Sequence, residues 1–285
     1  LGDSGMKVSP QEIASLPIHT AAPDALSPYT QALREHFPSR EALLQEAKRQ
    51  TRRQRVLKKV TTGMTLSMAL ALSWIIDPVW HSEDLRTEVG QQASYALKDG
   101  SHVALNTNTV LVVDQHLYSR RLHLKQGEAL FTVDHGWRPL TVYANHTQIR
   151  DIGTIFNVRN TAQGAVVTVI EGSVEVRTAN AQRILTKDIS VTTQAGAISE
   201  SRCTSANIAW QQGRLVFDGT PLQEAVAEIQ RYRQAPIVIQ DSKVGRMRLS
   251  GEYDINAIES LLKTLPLSLG IQASYQADGK VILSN

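Results

Sequence analysis

The feature that most constrains this chain is an uncharged stretch of 17 residues, VTTGMTLSMALALSWII, from Val60 to Ile76. A bilayer core of about 30 Å is spanned by a helix of roughly 17–25 apolar residues, so the stretch is just long enough to cross one. Its several Thr, Ser and Gly residues make it only moderately apolar, and a buried core helix is the alternative. Trp74 and Trp80, aromatic residues near the far end, favour a membrane-water interface.

Opposite charges flank this stretch. Before it lies a run of basic residues without an intervening acid: Lys48, Arg49, Arg52, Arg53, Arg55, Lys58 and Lys59. After it come the acids Asp77, Glu83, Asp84 and Glu88. The positive-inside rule therefore predicts that residues 1–59 stay in the cytoplasm and that residues 77–285 lie across the membrane. A cleavable signal peptide is less consistent with the stretch, because such a segment would stand at the extreme amino terminus.

The basic run allows other interpretations. Arg52 and Arg53, followed by Val56-Leu57-Lys58 and the apolar stretch, look like a twin-arginine export signal, whereas a plain basic flank that stops transfer is the alternative. Both leave the carboxyl-terminal part outside the cytoplasm. We expect no direct nucleic-acid binding, because no aromatic residue is interleaved with the charges and the membrane stretch accounts for them.

Residues 1–59 predict short helices with little core. Cap-type starts occur at Ser9-Pro10-Gln11-Glu12 and at Ser39-Arg40-Glu41-Ala42. Two narrow apolar stripes run along these helices, and their large members are Tyr29, Leu33, Phe37, Leu43 and Leu44. So few large side chains favour a segment that folds against a partner. The chain opens with Leu1 and not Met, so we expect further residues upstream.

The region from 88 to 200 predicts an all-β domain, a sandwich or roll. Short β-type runs such as HVALN, VLVVD, LTVYA and AVVTVIEGSVEV recur about every ten residues, separated by Gly- and Asp-containing turns. Residues 77–87 and 201–212 are assigned to linkers on either side of this domain. A hydrophobic content of 42% and a charged content of 20% suit folded material.

Residues 213–285 predict a small α+β domain. RLVFDG is a strand, TPLQEAVAEIQRYRQ a helix and PIVIQ a strand. RMRLSGEYD is then a strand, INAIESLLKTLP a helix, and IQASYQ with KVILS a closing hairpin. The order strand, helix, strand occurs twice within about seventy residues, which indicates a domain of two similar halves.

The chain lacks the motifs of an enzyme that turns over an external substrate. Its eight histidines show no metal-ligand spacing, Cys203 stands alone, and there is no phosphate-binding glycine loop and no Gly-x-Ser-x-Gly elbow. We expect no metal and no cofactor. An enzyme acting on envelope glycans would need paired carboxylates in the β region, and the acids there are scattered singly.

One octapeptide, DIGTIFNV at 151–158, carries a glycine inside a β-type run. The simpler interpretation is a bulge or bend. The chemical interpretation is that the Thr154 hydroxyl stands beside the unshielded carbonyl of Gly153, which is the minimum for attack on a peptide bond from within. A bend and a cleavage site are compatible, because the bend could supply the strain.

An ordered series of stretches resembles the FecR family, the inner-membrane anti-sigma regulators of bacterial cell-surface signalling in iron-siderophore or haem uptake. The series includes LKDGSHVALNTNTVLVV, RLHLKQGEALFTV, RPLTVYA, IRDIGTIFNVR, VVTVIEGSVEV, LVFDGTPLQEAVAEIQRY and RLSGEYD. It covers most of residues 87–285 in the family's order. The amino terminus departs from the family, since the first tryptophan-bearing helix expected there is absent.

The resemblance implies a fold, a membrane topology and partners. It implies an inner-membrane protein with a cytoplasmic amino terminus that holds an extracytoplasmic-function sigma factor, so Tyr29, Leu33, Phe37, Leu43 and Leu44 become candidate sigma-binding residues. It also implies a periplasmic region that contacts the signalling domain of a TonB-dependent outer-membrane receptor, with envelope proteases in the relay.

The last seventy residues resemble the short amino-terminal domain shared by secretins and such receptors. A strand edge there is a candidate receptor site, at Arg248, Leu249, Ser250 and Gly251, if that strand is not internal to a sheet.

Some members of the family cleave themselves at a Gly-Thr bond, which makes Gly153 and Thr154 candidate self-cleavage residues, assisted by His146 or Asp151. A rival from another class is an envelope scaffold with no role in transcription, for which residues 1–59 would be dispensable.

Overall fold

The computed structural model describes residues 39–134 and 136–285. Three candidate sigma-binding residues, Tyr29, Leu33 and Phe37, lie outside the described residues, as do the helices expected between residues 9 and 38. Contacts divide the chain into two units, 1–72 and 73–285.

A helix of 37 residues, α1 (Arg40–Ile76), opens the described part of the chain. Its first turn is capped as the sequence predicts, because the Ser39 hydroxyl accepts a hydrogen bond from the Ala42 amide at 3.3 Å. The predicted cytoplasmic helix and the apolar stretch are one element, since no proline interrupts residues 40–76. At 1.5 Å per residue α1 is about 55 Å long, so the apolar half alone matches a bilayer.

The β domain consists, within residues 79–134 and 136–202, of two seven-stranded sheets. Sheet I has the order β1-β4-β5-β7-β8-β11-β12, and sheet II has the order β14-β13-β10-β9-β6-β3-β2. The strands are β1 (Val79–Arg86), β2 (Ala93–Ala96), β3 (His102–Leu105), β4 (Val110–His116), β5 (Arg120–Gln126), β6 (Glu128–Thr132), β7 (Leu140–Ala144), β8 (Thr147–Asp151), β9 (Ile155–Thr161), β10 (Gly164–Glu171), β11 (Ser173–Arg177), β12 (Gln182–Thr186), β13 (Ile189–Gln194) and β14 (Ala197–Arg202).

One core joins the two sheets. Alternate residues of the inner strands point inward, as in Val174 and Val176 of β11, and the rings of Phe131 and Phe156 stack at 5.1 Å between centroids. The arrangement is the predicted all-β sandwich.

Residues 77–87, which the sequence assigned to a linker, contain β1. This strand pairs antiparallel with β4, from Val79 opposite His116 to Arg86 opposite Val110. The sequence pattern did not predict β1, because this strand lies at the edge of sheet I and buries only Leu85. The second linker, 201–212, is also partly ordered: it contains the end of β14 and two short 3₁₀ helices, the second with Trp210 buried.

The C-terminal domain, residues 214–285, has its own core. Its elements are β15 (Arg214–Pro221), α2 (Leu222–Gln230), β16 (Ile237–Ile239), α3 (Ser242–Gly245), β17 (Arg248–Asp254), α4 (Ile258–Leu269), β18 (Gln272–Tyr275) and β19 (Val281–Ser284). β15 pairs with β17, while β19 lies between β16, to which it is parallel, and β18. The predicted order strand, helix, strand therefore runs twice along the chain.

Candidate functional site

The Gly153-Thr154 bond lies at a corner between the two sheets. β8 ends at Asp151 in sheet I, and β9 begins at Ile155 in sheet II, so residues 152–154 carry the chain from one sheet to the other. Gly153 has φ +89°, a conformation that residues with a side chain rarely adopt. The pair is thus a bend between two strands, which agrees with the simpler interpretation of the sequence.

The Thr154 side chain is buried beside a carboxylate. Only 4% of Thr154 is exposed, and its hydroxyl donates a hydrogen bond to Oδ1 of Asp151. Its carbonyl accepts from the Val133 amide at 3.1 Å. An oxygen nucleophile and a hydrogen-bond acceptor that could take its proton therefore stand three residues apart at the corner.

The Gly153 carbonyl is covered by a second glycine. A Cβ atom added to Gly172, which has φ +80°, would lie 2.2 Å from the Gly153 carbonyl oxygen. His146, the other residue considered as an assistant, is exposed at the opposite end of β8, about 16 Å along a five-residue strand. The structure thus brings Asp151 to the Gly-Thr bond and leaves His146 away from it.

An ionic network joins the β domain to the C-terminal domain. Glu128, 4% exposed, begins β6 in sheet II. Its carboxylate accepts hydrogen bonds from the Arg231 guanidinium at 2.6 Å, from the Asn106 amide at 2.9 Å and from the Asn157 amide at 2.9 Å. Arg231 directly follows α2, so this contact spans the two domains.

A second ion pair extends the network. Arg159 of β9 lies 2.8 Å from the Glu228 carboxylate on α2, and Glu228 also pairs with Arg231. Burial by itself raises the pKa of Glu228, but the charges of Arg231 and Arg159 outweigh it and hold the pKa below its usual range. Burial would lower the pKa of Arg231, yet the adjacent Glu128 and Glu228 raise it, so Arg231 remains charged.

Neutral hydrogen bonds surround this network. The Asn106 amide donates to the Tyr232 hydroxyl at 2.8 Å, and the Thr107 hydroxyl donates to the Arg231 carbonyl at 3.0 Å. Sequence reasoning missed these residues. The one available signal was Glu128, a charge inside the otherwise uncharged strand EALFT.

A buried carboxylate follows the last residue of α1. Asp77, 6% exposed and with φ +44°, accepts hydrogen bonds from the Tyr118 amide at 2.7 Å and from the Ser119 hydroxyl. Its carbonyl oxygen lies 2.5 Å from Nδ1 of His116, and Arg121 is 3.4 Å from its carboxylate. Burial raises the pKa of Asp77, but the hydrogen bonds from Ser119 and Tyr118 prevail and keep the pKa below its usual range.

The candidate receptor residues lie on β17, in a two-stranded sheet. β17 pairs with β15 only, within the described residues, so it is an edge strand and not an internal one. Leu249 is buried, whereas Arg248, Ser250 and Gly251 are exposed. Arg248 and Ser250 both contact Gly219 across the pair. Three residues of the predicted patch are therefore accessible, two of them with side chains, on a strand with one unpaired edge.

The remaining sequence candidates lie on α1. Leu43 and Leu44 are 53% and 52% exposed, and Arg52 and Arg53 are exposed on the same helix. α1 is long and apolar enough to cross a membrane by length and composition. Across residues 39–134 and 136–285, no three His, Cys, Asp or Glu side chains come together as a metal site.

Solved structures share the fold. Two crystal structures of a provisionally named anti-sigma factor from Parabacteroides distasonis ATCC 8503 match with a TM-score of 0.62. One is 24% identical and covers 72% of this chain and 99% of that chain. The other is 25% identical and covers 71% of this chain and 99% of that chain. The architecture is therefore that of an anti-sigma factor. No curated protein matches the chain significantly.

Family matches give the more specific assignment. The family described as FecR protein matches residues 83–175, and the family described as FecR, C-terminal, matches residues 214–283. The chain belongs to the FecR family of anti-sigma factors. Membership implies a sigma factor as partner, and the candidate membrane helix fits a single-pass inner-membrane protein.

Proposed function

We propose that this FecR-family chain relays a signal from a TonB-dependent outer-membrane receptor to an extracytoplasmic-function sigma factor that controls iron or haem uptake genes. In this proposal residues 1–59 are cytoplasmic and residues 77–285 periplasmic, in keeping with the basic run before the apolar stretch. The receptor's signalling domain binds the C-terminal domain, which resembles the short domain of secretins and such receptors. Envelope proteases then act near the membrane helix.

The observation that carries the proposal is the contact between Arg231 and Glu128, at 2.6 Å. It ties α2 of the C-terminal domain to sheet II. Sheet I in turn holds Asp77, at the end of α1, through Tyr118 and Ser119. A partner that binds the C-terminal domain could therefore change the conformation of the β domain through the Arg231–Glu128 pair. That change could reach Asp77, which follows α1, through its hydrogen bonds to Tyr118 and Ser119.

The sigma-factor half of the proposal is tested by co-purification. Full-length chain in detergent should retain its partner sigma factor, and the double substitution Leu43→Asp/Leu44→Asp should reduce the retained amount at least about tenfold, because burying a carboxylate at an apolar contact is costly. Gln45→Asp, on the same helix, is the matched control. Equal retention by all three proteins would contradict the assignment of Leu43 and Leu44.

The receptor half is tested with a transcriptional reporter in cells. Arg248→Glu reverses an exposed charge on the edge strand β17, and it should abolish induction by the inducing iron complex while leaving the protein level unchanged. Arg183→Glu, on an exposed strand of the β domain, is the control. Full induction of the Arg248→Glu strain would argue against this edge as the receptor site.

We further propose self-cleavage at Gly153-Thr154. The Thr154 oxygen attacks the Gly153 carbonyl carbon, its proton passing by way of Asp151 to the departing amide nitrogen. The C–N bond breaks as a C–O ester bond forms. Water then hydrolyses the ester, leaving a carboxylate on Gly153 and a free amine and hydroxyl on Thr154. The support is the hydrogen bond from Thr154 to Asp151 and the positive φ of Gly153.

A denaturing gel of purified protein tests this chemistry. Wild type and Thr154→Ser should give two fragments, because both retain a hydroxyl, whereas Thr154→Ala should stay intact. Asp151→Asn should slow the appearance of the fragments. A single intact band for wild type after prolonged incubation would refute self-cleavage and leave the sensor assignment untouched.

A further inference from the structure

A cavity of about 390 Å³ separates sheet II from the C-terminal domain. Its floor is the face of sheet II turned away from the sandwich core, because Asn157, Thr168 and Ser190 line it while their strand neighbours point into that core. Its opposite wall includes Trp210 and Phe217. The volume falls within the range of about 300–1,000 Å³ that is usual for small-molecule sites.

Two buried polar atoms at this cavity have no hydrogen-bond partner among the described residues: Oδ1 of Asn157 and Nε1 of Trp210. Asn157 is 2% exposed and Trp210 is 5% exposed. Native proteins rarely leave such atoms unpaired, because burying them without a partner costs free energy. Both residues line the cavity, so a molecule bound there that contacts these two side chains would meet one acceptor and one donor.

The orientation of the Asn157 amide is fixed by its neighbour. Its nitrogen donates to Oε1 of Glu128 at 2.9 Å, and an ionised carboxylate accepts hydrogen bonds but cannot donate one. Rotating the amide would place two acceptors against each other, so Oδ1 must be the unpaired atom. For Trp210 there is no such ambiguity, since the indole nitrogen only donates.

The charges around the cavity are already paired. Glu128 and Glu228 bind Arg231, Arg159 binds Glu228, and Arg214 binds Glu252 at 2.8 Å. The remaining charged lining residue, Glu224, is exposed. A charged ligand would find no buried counter-charge there, so the site favours a neutral molecule.

The uncharged lining combines hydroxyls with an apolar wall. Thr168 and Ser190, which hydrogen-bond to each other at 2.9 Å, are accompanied by the hydroxyls of Thr192, Ser201 and Thr220. Hydroxyl groups can donate or accept, and Leu215 with Phe217 supplies apolar surface. We propose that the cavity binds a neutral, hydroxyl-rich small molecule the size of a mono- or disaccharide, which contacts both domains at once.

This site goes beyond the proposed function, because it would let the regulator sense a small molecule directly as well as a receptor. The test is calorimetric titration of the detergent-solubilised full chain, without sigma factor or receptor, with glucose, N-acetylglucosamine, maltose and cellobiose. Glucuronate and glucosamine are the charged comparators. We expect saturable binding of at least one neutral sugar, and binding at least about tenfold weaker for glucuronate and glucosamine.

Two variants assign the binding to this cavity. Trp210→Phe removes the Nε1 donor while keeping an aromatic ring, and it should weaken sugar binding about tenfold. Trp137→Phe, at a residue 78% exposed in the β domain, is the matched control and should bind as wild type does. Val166→Phe, which places bulk in the cavity from β10, should abolish binding without relying on Trp210.

The proposal is overturned by either of two results. No saturable binding of any of these sugars up to millimolar concentration would exclude the cavity as a saccharide site. Binding that survives both Trp210→Phe and Val166→Phe would place the sugar elsewhere. Neither result bears on the sigma factor or on the receptor, because both partners are absent from the titration.

Discussion

The guanidinium of Arg231 lies 2.6 Å from the carboxylate of Glu128, although 103 residues separate them in the chain. Both groups are largely withdrawn from solvent, at 17% and 5% side-chain exposure. Glu128 gains two amide hydrogen bonds in addition, so its carboxylate is well compensated. This pair is one of several polar contacts that join the β domain to the C-terminal domain.

Removing one partner of this pair should destabilise the protein strongly. Arg231→Ala leaves Glu128 charged and buried, and we expect a loss of about 3–5 kcal/mol in the free energy of unfolding. The double substitution Glu128→Gln/Arg231→Met should recover much of that loss. Urea denaturation followed by tryptophan fluorescence measures both.

Arg214→Ala is the matched control, because Arg214 pairs with Glu252 at 2.8 Å where both side chains are more than half exposed. Its effect should stay within about 1 kcal/mol. Equal losses for Arg231→Ala and Arg214→Ala would show that burial of the Glu128 pair contributes little.

Acid should weaken the junction between the domains. The pKa of Glu228 is below its usual 4.5 in the folded protein, so Glu228 contributes stability that is fully present above the unfolded value. That contribution should fade as the pH drops from about 4.5 through the lower folded pKa. Thermal melts between pH 7 and pH 3 should show a fall in midpoint that Glu228→Gln makes shallower. An identical pH dependence in the variant would contradict this role.

Asp77 should anchor the residues that follow α1. Asp77→Ala deprives the Tyr118 amide and the Ser119 hydroxyl of their acceptor, at a cost of about 1–3 kcal/mol, and adds strain because φ is +44°. Hydrogen exchange should accelerate in β1. Asp84→Ala, at an exposed pair with Arg86, is the control and should leave exchange unchanged. Unaltered protection of β1 in Asp77→Ala would refute the anchoring role.

Gly172 should tolerate no side chain. Gly172→Ala must place a methyl group 2.2 Å from the Gly153 carbonyl oxygen, so we expect a loss of about 2–4 kcal/mol from strain and overpacking together. Gly270→Ala is the matched control, because Gly270 also has positive φ, at +65°, but nothing lies within 4 Å of its added Cβ. It should lose only about 1–2 kcal/mol. Thermal unfolding that gave equal losses would exclude the clash at the corner.

Hydropathy and local pattern sufficed for the large elements of this fold. Because an apolar run ends where charge begins, the sequence located the end of α1 at Ile76. Short β-type runs separated by turn residues likewise predicted the all-β domain. β1 escaped prediction because an edge strand with one buried residue, Leu85, has almost no alternation to detect.

Some residues of the candidate site were likewise predictable from the sequence, and others were not. A glycine in a β-type run singled out Gly153 and Thr154, since glycine is locally unusual there. That Asp151 and not His146 contacts Thr154 depends on where β8 ends, which sequence pattern locates poorly. The pairing of Glu128 with Arg231 depends on the docking of two domains, and no local pattern encodes it.

The corner at Gly153 also determines what a cut there would leave behind. Strands that precede Gly153 and strands that follow it occur in both sheets: β8 pairs with β11 in sheet I, and β9 pairs with β6 in sheet II. A nicked chain would thus remain one interleaved body, held by its ladders without a covalent link. Breaking the Gly153-Thr154 bond would not by itself release a fragment. Release would also require separation of the paired strands. Scission at this corner would therefore leave the domain folded but make it separable by force, so that a partner that applies tension could pull its two fragments apart.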